Sequence, residues 1–472
     1  MNETTTGSGT PSGARLGRRS LLAAAAAAVT GCSTGRAGGS ASQPSETLVV
    51  SESAAAATDA FGGPTDAVVA ALNRTRGAAL LAGDERAFLA GLDPAAGPLI
   101  DSQRLLLANL RQLGVTAVSL VTRPAEHSTQ VADGTFDVPV THVVRLAADS
   151  GPDGVGAAET YTYRYRRRGD GWVVTAVTPT ATCILTPWSV TRVTVAKAPG
   201  VWLVADATAP EVAGYAQVAV TEAATVHRIW GQRFSLPGAV LCFTRDDASF
   251  RSWFNRKDHP VTVTAVEGLT NFGRYAYASG EPYTAETPAV RVSVQLKAVE
   301  QVFGRIGASG DAALETQLVI RHELVHGLTA RLAPRADDLG YLTGDIVRWA
   351  IEGFARFVEH LDQPARQRAS EAYVRDGVRR GLFAGRPPAS KTFYDTPVMS
   401  FNYELSSTIF EFVRRRRDLE AAVTFYDDCH RVADLDEVPF LGTKAFDHAC
   451  RTATGLAAPA FLQQWRSYVR GL

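Results

Sequence analysis

The spacing of apolar residues along the chain changes period several times. Over 65–92, Val68, Leu72, Ala79, Leu80, Phe88 and Leu89 recur at three- and four-residue steps, which predicts helix. Between 115 and 177 the period shortens. The stretches 118–121, 138–146, 160–166 and 172–177 alternate or run β-branched, with Gly-Asp turn signals at 169–171, and predict strands. A strand pair at 193–196 and 201–204 leads into a long helical pattern over 210–230. Further strands are predicted at 239–243 and 261–266. Over 289–296, Val290, Val292, Val294 and Leu296 alternate with Arg291, Ser293 and Gln295, the pattern of a half-buried strand. From 297 onward the chain reads as almost wholly helical, closing with a helix over 461–468.

A change from helix to strands, to a mixed segment, to helices describes an α+β multidomain chain. At 472 residues it holds material for two to four cores, with 46% hydrophobic and 20% charged residues. Lys+Arg and Asp+Glu stand at 48 each, which speaks against a nucleic-acid binder and against bulk disorder. The chain is expected to be a monomer. Five cysteines do not make a disulfide-dense scaffold, and none has C-x-x-C spacing. Cys183, Cys242, Cys429 and Cys450 permit three pairings; the local pairs Cys183–Cys242 and Cys429–Cys450 are preferred.

The front end has the layout of an export signal. Arg15, Arg18 and Arg19 precede a short alanine-rich apolar run over 21–29, too short to span a bilayer. Val29-Thr30-Gly31-Cys32 resembles a bacterial lipobox, which implies lipid attachment at Cys32. Arg18-Arg19-Ser20-Leu21-Leu22 resembles a twin-arginine signal. The expected division is a signal peptide over 1–31, a flexible linker over 32–63, an α+β domain over 64–182, a mixed α/β sheet subdomain over 183–296 and a helical subdomain over 297–472. The helix-then-meander order over 64–180 resembles the ketosteroid-isomerase-like cone. The expected location is the outer face of a bacterial cytoplasmic membrane, with a lipid as the only membrane contact.

One motif carries chemistry: His322-Glu323-Leu324-Val325-His326, an H-E-x-x-H. Leu314, Leu318, Val319, Val325 and Leu328 form an apolar stripe with no Pro or Gly between Asp311 and His326, so the motif lies on a helix. Residues i and i+4 are about 40° apart around a helix axis, so the two imidazoles point the same way. That pattern suits one zinc ion, with Glu323 as general base toward an attacking water. A catalytic zinc needs a third protein ligand and an open position. A metzincin is excluded because Thr329 and Leu332 stand where its Gly and His belong. Asp337, Asp338 and Asp345 are available carboxylates. So is Glu352, on a predicted helix over 344–362 whose buried face is Ile346, Trp349, Ala350, Gly353, Phe354 and Phe357.

Trp349-Ala350-Ile351-Glu352-Gly353-Phe354-Ala355 resembles the W-x-x-E-G-x-A signature of gluzincin metallopeptidases. The resemblance implies one Zn2+ held by His322, His326 and Glu352, and a peptide or protein substrate. It also implies an oxyanion donor beyond the glutamate ligand, for which Tyr403 is the first candidate and Tyr394 and His430 are weaker ones. Glu359 is a candidate to orient a histidine ligand. By analogy, strand 289–296 would bind substrate as an edge strand. No G-x-M-E-N motif is present, so aminopeptidase specificity is not implied. The rival readings are a non-catalytic envelope lipoprotein that uses this fold for binding or scaffolding, and a zinc hydrolase of non-peptide amides.

Overall fold

The computed structural model describes residues 58–472 apart from 60–61, 123–128, 133, 234–237, 255–266, 272, 285–286, 302–310, 330–346, 396 and 432–439. The signal segment, Cys32, the linker, the expected strand over 261–266 and the three aspartates Asp337, Asp338 and Asp345 lie outside these residues. Among the described residues no helix is long and apolar enough to cross a membrane.

Thr65 caps helix α1 (Asp66–Ala82) by accepting from the Val68 amide, and Gly83 ends it at a left-handed φ of 71°. A second long helix, α2 (Gly97–Leu113), was not predicted; its stripe of Leu99, Leu106, Leu107, Leu110 and Leu113 is buried. Strands β1 (Val115–Val121), β2 (Thr129–Ala132), β3 (Thr135–Leu146), β4 (Val155–Arg168) and β5 (Gly171–Pro179) follow. They form an antiparallel sheet in the order β1-β3-β4, with β2 on β3 and β5 on β4. Alternation sends Phe136, Val138, Val140, Tyr161, Tyr163 and Tyr165 to one face, where they pack on Val68, Val69 and Leu99.

His142 is buried in this sheet, its Nε2 2.7 Å from the Tyr163 hydroxyl. Burial, aided by the Arg76 cation, depresses its pKa to about 3. The unfolded chain, with an ordinary value near 6.5, therefore takes up this proton first as the medium acidifies. The stability that neutral His142 contributes is complete above about pH 6.5 and is lost as pH falls toward 3. Urea titrations should show about 2 kcal/mol less stability at pH 5 than at pH 7 from this residue. His142→Gln should flatten that slope; an unchanged slope in the variant would remove His142 as the cause.

The second sheet comprises β6 (Thr194–Ala198), β7 (Val201–Ala205), β8 (Ala239–Thr244), β9 (Gly268–Asn271) and β11 (Val290–Gln295), in the order β6-β7-β8-β11-β9. Helix α3 (Ala216–Trp230) connects β7 to its parallel neighbour β8. The strand between β9 and β11, β10 (Tyr275–Tyr277), joins the first sheet by pairing with β4. Both faces of the second sheet are covered. Leu203, Leu241, Phe243, Val292 and Val294 face the helical core, while Val204, Val240 and Cys242 pack with Leu106, Leu110 and Trp188 on the other side.

This double cover corrects two expectations for residues 289–296. The strand is buried at every position of β11 rather than on one face. Its polar residues are satisfied in place, Arg291 by the buried Asp149 carboxylate and Gln295 by Asp247 at 2.9 Å. Nor is it an edge: β11 lies between parallel β8 and antiparallel β9. Among the described residues, β9 is the strand that ends the sheet on this side.

The helical part contains α4 (Ala312–Thr329), α5 (Arg348–His360), α6 (Pro364–Arg379), α7 (Met399–Arg416), α8 (Leu419–Arg431), α9 (Lys444–Thr454) and α10 (Ala458–Gly471). Trp349, Phe354 and Phe357 of α5 anchor its core, with Phe354 stacked on Tyr426 at 4.2 Å between centroids. Where α5 crosses α7, a Cβ on Gly353 would stand 2.6 Å from Ser406 Cβ, so only glycine permits this approach. The preferred disulfides are not formed: all four cysteines are free and buried. Cys183 belongs to the core of the first sheet and Cys242 to the layer between the sheets. Cys429 and Cys450 sit in the helical core, where they act as small apolar side chains.

Candidate metal centre

Helix α4 starts at Asp311, whose carboxylate accepts from the Ala313 amide at 2.9 Å. Its helical repeat brings His322 and His326 one turn apart, with their Nε2 atoms at 3.1 Å. Helix α5 packs across α4 and delivers Glu352, whose Oε2 lies 3.5 Å from His322 Nε2 and 3.3 Å from His326 Nε2. Of the carboxylates weighed as third ligand, Glu352 is the one found beside both rings among the described residues.

These separations allow a test of fit. Zinc bonds to histidine nitrogen and carboxylate oxygen run about 2.0–2.2 Å, so neighbouring corners of a tetrahedral site stand about 3.3–3.6 Å apart. The observed edges of 3.1, 3.3 and 3.5 Å are close to that size. Two histidines and one glutamate are also a donor set of catalytic zinc sites. The three residues therefore fit the ion.

The surroundings favour charge at this point. Burial opposes a proton on His322, yet hydrogen bonding to Glu352 and Glu359 outweighs it and lifts the imidazole to about 9. Burial likewise pushes Glu352 upward, but His326 and His322 more than offset this and hold its carboxyl well below the ordinary range.

Glu352 and His322 have partners behind them. The second oxygen of Glu352 accepts a 2.5 Å hydrogen bond from the Tyr394 hydroxyl. Glu359, fully buried, places Oε2 3.4 Å from His322 Nδ1, while its Oε1 accepts from Arg356 Nη1 at 2.5 Å. Arg356 also donates to Glu404 at 2.9 and 2.5 Å, and Ser370 donates to the same carboxylate at 2.6 Å. Further ion pairs join Arg321 to Glu222 and Arg366 to Glu315. Breaking one member of such a pair would leave a buried charge uncompensated, at a cost of about 3–5 kcal/mol.

Glu323 points toward β9. The Thr270 hydroxyl lies 2.8 Å from its Oε2 and 2.6 Å from its backbone oxygen. A Cβ on Gly268 would come within 2.6 Å of Glu323 Cγ, so a glycine here leaves room for the carboxylate. Tyr403 reaches the same place from α7, its ring centroid 6.3 Å from that of His322. Burial, together with Glu352, Tyr394 and Glu323, keeps its phenol protonated. The structure thus brings His322, Glu323, His326, Glu352, Glu359, Tyr394 and Tyr403 together, while the side chain of His430 lies outside the described residues. Thr270, Gly268, Arg356 and Glu404 were not foreseen. Nothing in the four-residue run of β9 identifies it as a strand, and the partners on α5 and α7 meet only in three dimensions.

No protein-family model and no curated protein matches the chain. Among solved structures it is similar to an M1 zinc metallopeptidase from Deinococcus radiodurans. The match has 14% identity and a TM-score of 0.33, over 75% of this chain and 70% of that one. At those values the likeness carries no weight for function.

Proposed function

We propose that the protein is a zinc-dependent hydrolase of peptide bonds, with His322, His326 and Glu352 as the metal ligands. The observation that carries this reading is the convergence of two imidazole nitrogens and one carboxylate oxygen at separations that match three corners of a zinc-sized tetrahedron, near the Glu323 carboxylate. Zinc held there supplies a Lewis acid that polarises a carbonyl and acidifies water. Glu323 is the general base: it takes a proton from the attacking water and returns it to the nitrogen of the leaving amine. Thr270 fixes the carboxylate from one side. Tyr403, kept protonated, donates to the oxyanion that forms when the carbonyl is attacked. Glu359 Oε2, 3.4 Å from His322 Nδ1, faces that nitrogen and favours the orientation that presents Nε2 to the metal, and Tyr394 holds Glu352 by its outer oxygen.

An extended peptide pairs with a strand edge through its backbone. With β11 interior, β9 is the strand placed for that task, since its Gly268 and Thr270 touch the general base. On the sequence reading of Cys32, the enzyme works tethered outside the cytoplasmic membrane.

The test combines metal analysis with digestion of a peptide library. The full chain should carry about one zinc, lose cleavage on chelation and regain it when zinc is restored. A zinc-loaded protein that cuts no peptide would overturn the hydrolase reading in favour of a binding or scaffolding protein.

A further inference from the structure

The arginines that brace the metal centre each face a buried glutamate: Arg321 faces Glu222, Arg356 faces Glu404 and Glu359, and Arg366 faces Glu315. Arg348, the first residue of α5, is different. Among the described residues no carboxylate lies within ion-pair distance of its guanidinium, which instead donates through Nη1 to the Tyr394 hydroxyl at 3.2 Å. It lies over the Tyr394 ring, 4.8 Å from the centroid, and its backbone amide donates to Ser390 Oγ at 3.2 Å. Stacking and backbone anchoring hold the side chain in one place. A guanidinium has five N–H donors, and among the described residues one of them is spent, on Tyr394.

The position gives this cation a direction to work in. The hydroxyl that accepts from Arg348 donates onward to Glu352 Oε1 at 2.5 Å, so Arg348 stands one side chain removed from the metal ligands. Tyr394 is 41% exposed, so the pair marks the mouth of the centre rather than its floor. A planar fork with unspent donors is matched to a carboxylate, which it can hold by two parallel hydrogen bonds.

We propose that Arg348, positioned by Tyr394, selects substrates that carry a carboxylate beside the scissile bond, whether an acidic side chain or the α-carboxylate of a chain end. The inference rests on the hydrolase reading for its location and on the unspent guanidinium for its chemistry. Substrates with a cation at that place are disfavoured by the same charge.

The experiment uses the zinc-loaded full chain carrying Glu323→Gln, so that peptides bind without turnover. Short peptides are paired: Glu against Gln beside the central bond, each with a free or an amidated C-terminus. Calorimetry should show about tenfold tighter binding for the anionic member of a pair. Adding Arg348→Met should bring that ratio close to one, and Arg348→Lys should restore part of it. The Glu/Gln contrast identifies an acidic side chain as the source, and the free/amidated contrast identifies a chain end. Equal behaviour of the pairs, or a ratio that survives Arg348→Met, overturns the proposal. The hydrolase reading fails separately, when zinc-loaded wild type binds the peptides and cuts none.

Discussion

Glu323→Gln is expected to leave about one zinc bound per chain and to lower peptide cleavage by about 10²–10⁴-fold. Glu323 is not among the metal ligands; its carboxylate lies beside them and is held by the Thr270 hydroxyl at 2.8 Å. The amide of glutamine is nearly the same size and can still meet Thr270, so the fold and the ligand triangle have no reason to change. What disappears is the capacity to accept and return a proton. Elemental analysis alongside single-turnover cleavage separates the two effects. Cleavage near the wild-type rate would remove Glu323 from the role of base, and loss of zinc would show that it belongs to the ligand set.

Glu352→Ala should weaken zinc binding by more than about 100-fold, since even supporting partners of metal ligands are worth about 10–100-fold. The substitution removes the oxygen at 3.3 and 3.5 Å from the two imidazoles and leaves a pair of nitrogens 3.1 Å apart without the carboxylate that completes the triangle. It also strands the Tyr394 hydroxyl that donated to Glu352. Competition with a chromogenic chelator reads the affinity, and circular dichroism checks that α5 persists. Unchanged affinity would transfer the third ligand to a carboxylate among residues outside the described set, such as Asp337, Asp338 or Asp345.

The two helices that make the centre were legible in the sequence because each carries a local code. His322 and His326 repeat at the helical period on α4, and Trp349, Gly353 and Phe354 mark the buried face of α5 beside Glu352. The mixed α+β class was legible from changes of period along the chain. What supports the centre was not, because it depends on contacts across long separations. Thr270 reaches Glu323 from a four-residue strand, and Glu404 reaches Arg356 from a helix that begins far downstream. The environment of β11 was misread for a related reason. Alternating polar residues normally signal an open face, but Arg291 and Gln295 find Asp149 and Asp247 in chain segments that cover them. The cysteines were read by parity, but Cys183 and Cys242 lie in different cores, and Cys429 and Cys450 share the helical core as free thiols.

The glutamate–arginine pairs packed behind the candidate metal ligands respond to heat differently from the aromatic side chains around Phe354. Ions are hydrated with a strongly negative entropy, so the penalty for keeping them dry shrinks on warming, while the gain from hiding hydrocarbon levels off. The scaffold of the metal centre is therefore reinforced, relative to the rest of the interior, as the temperature approaches melting. The geometry of the candidate metal ligands belongs to the parts of this molecule best suited to persist on warming.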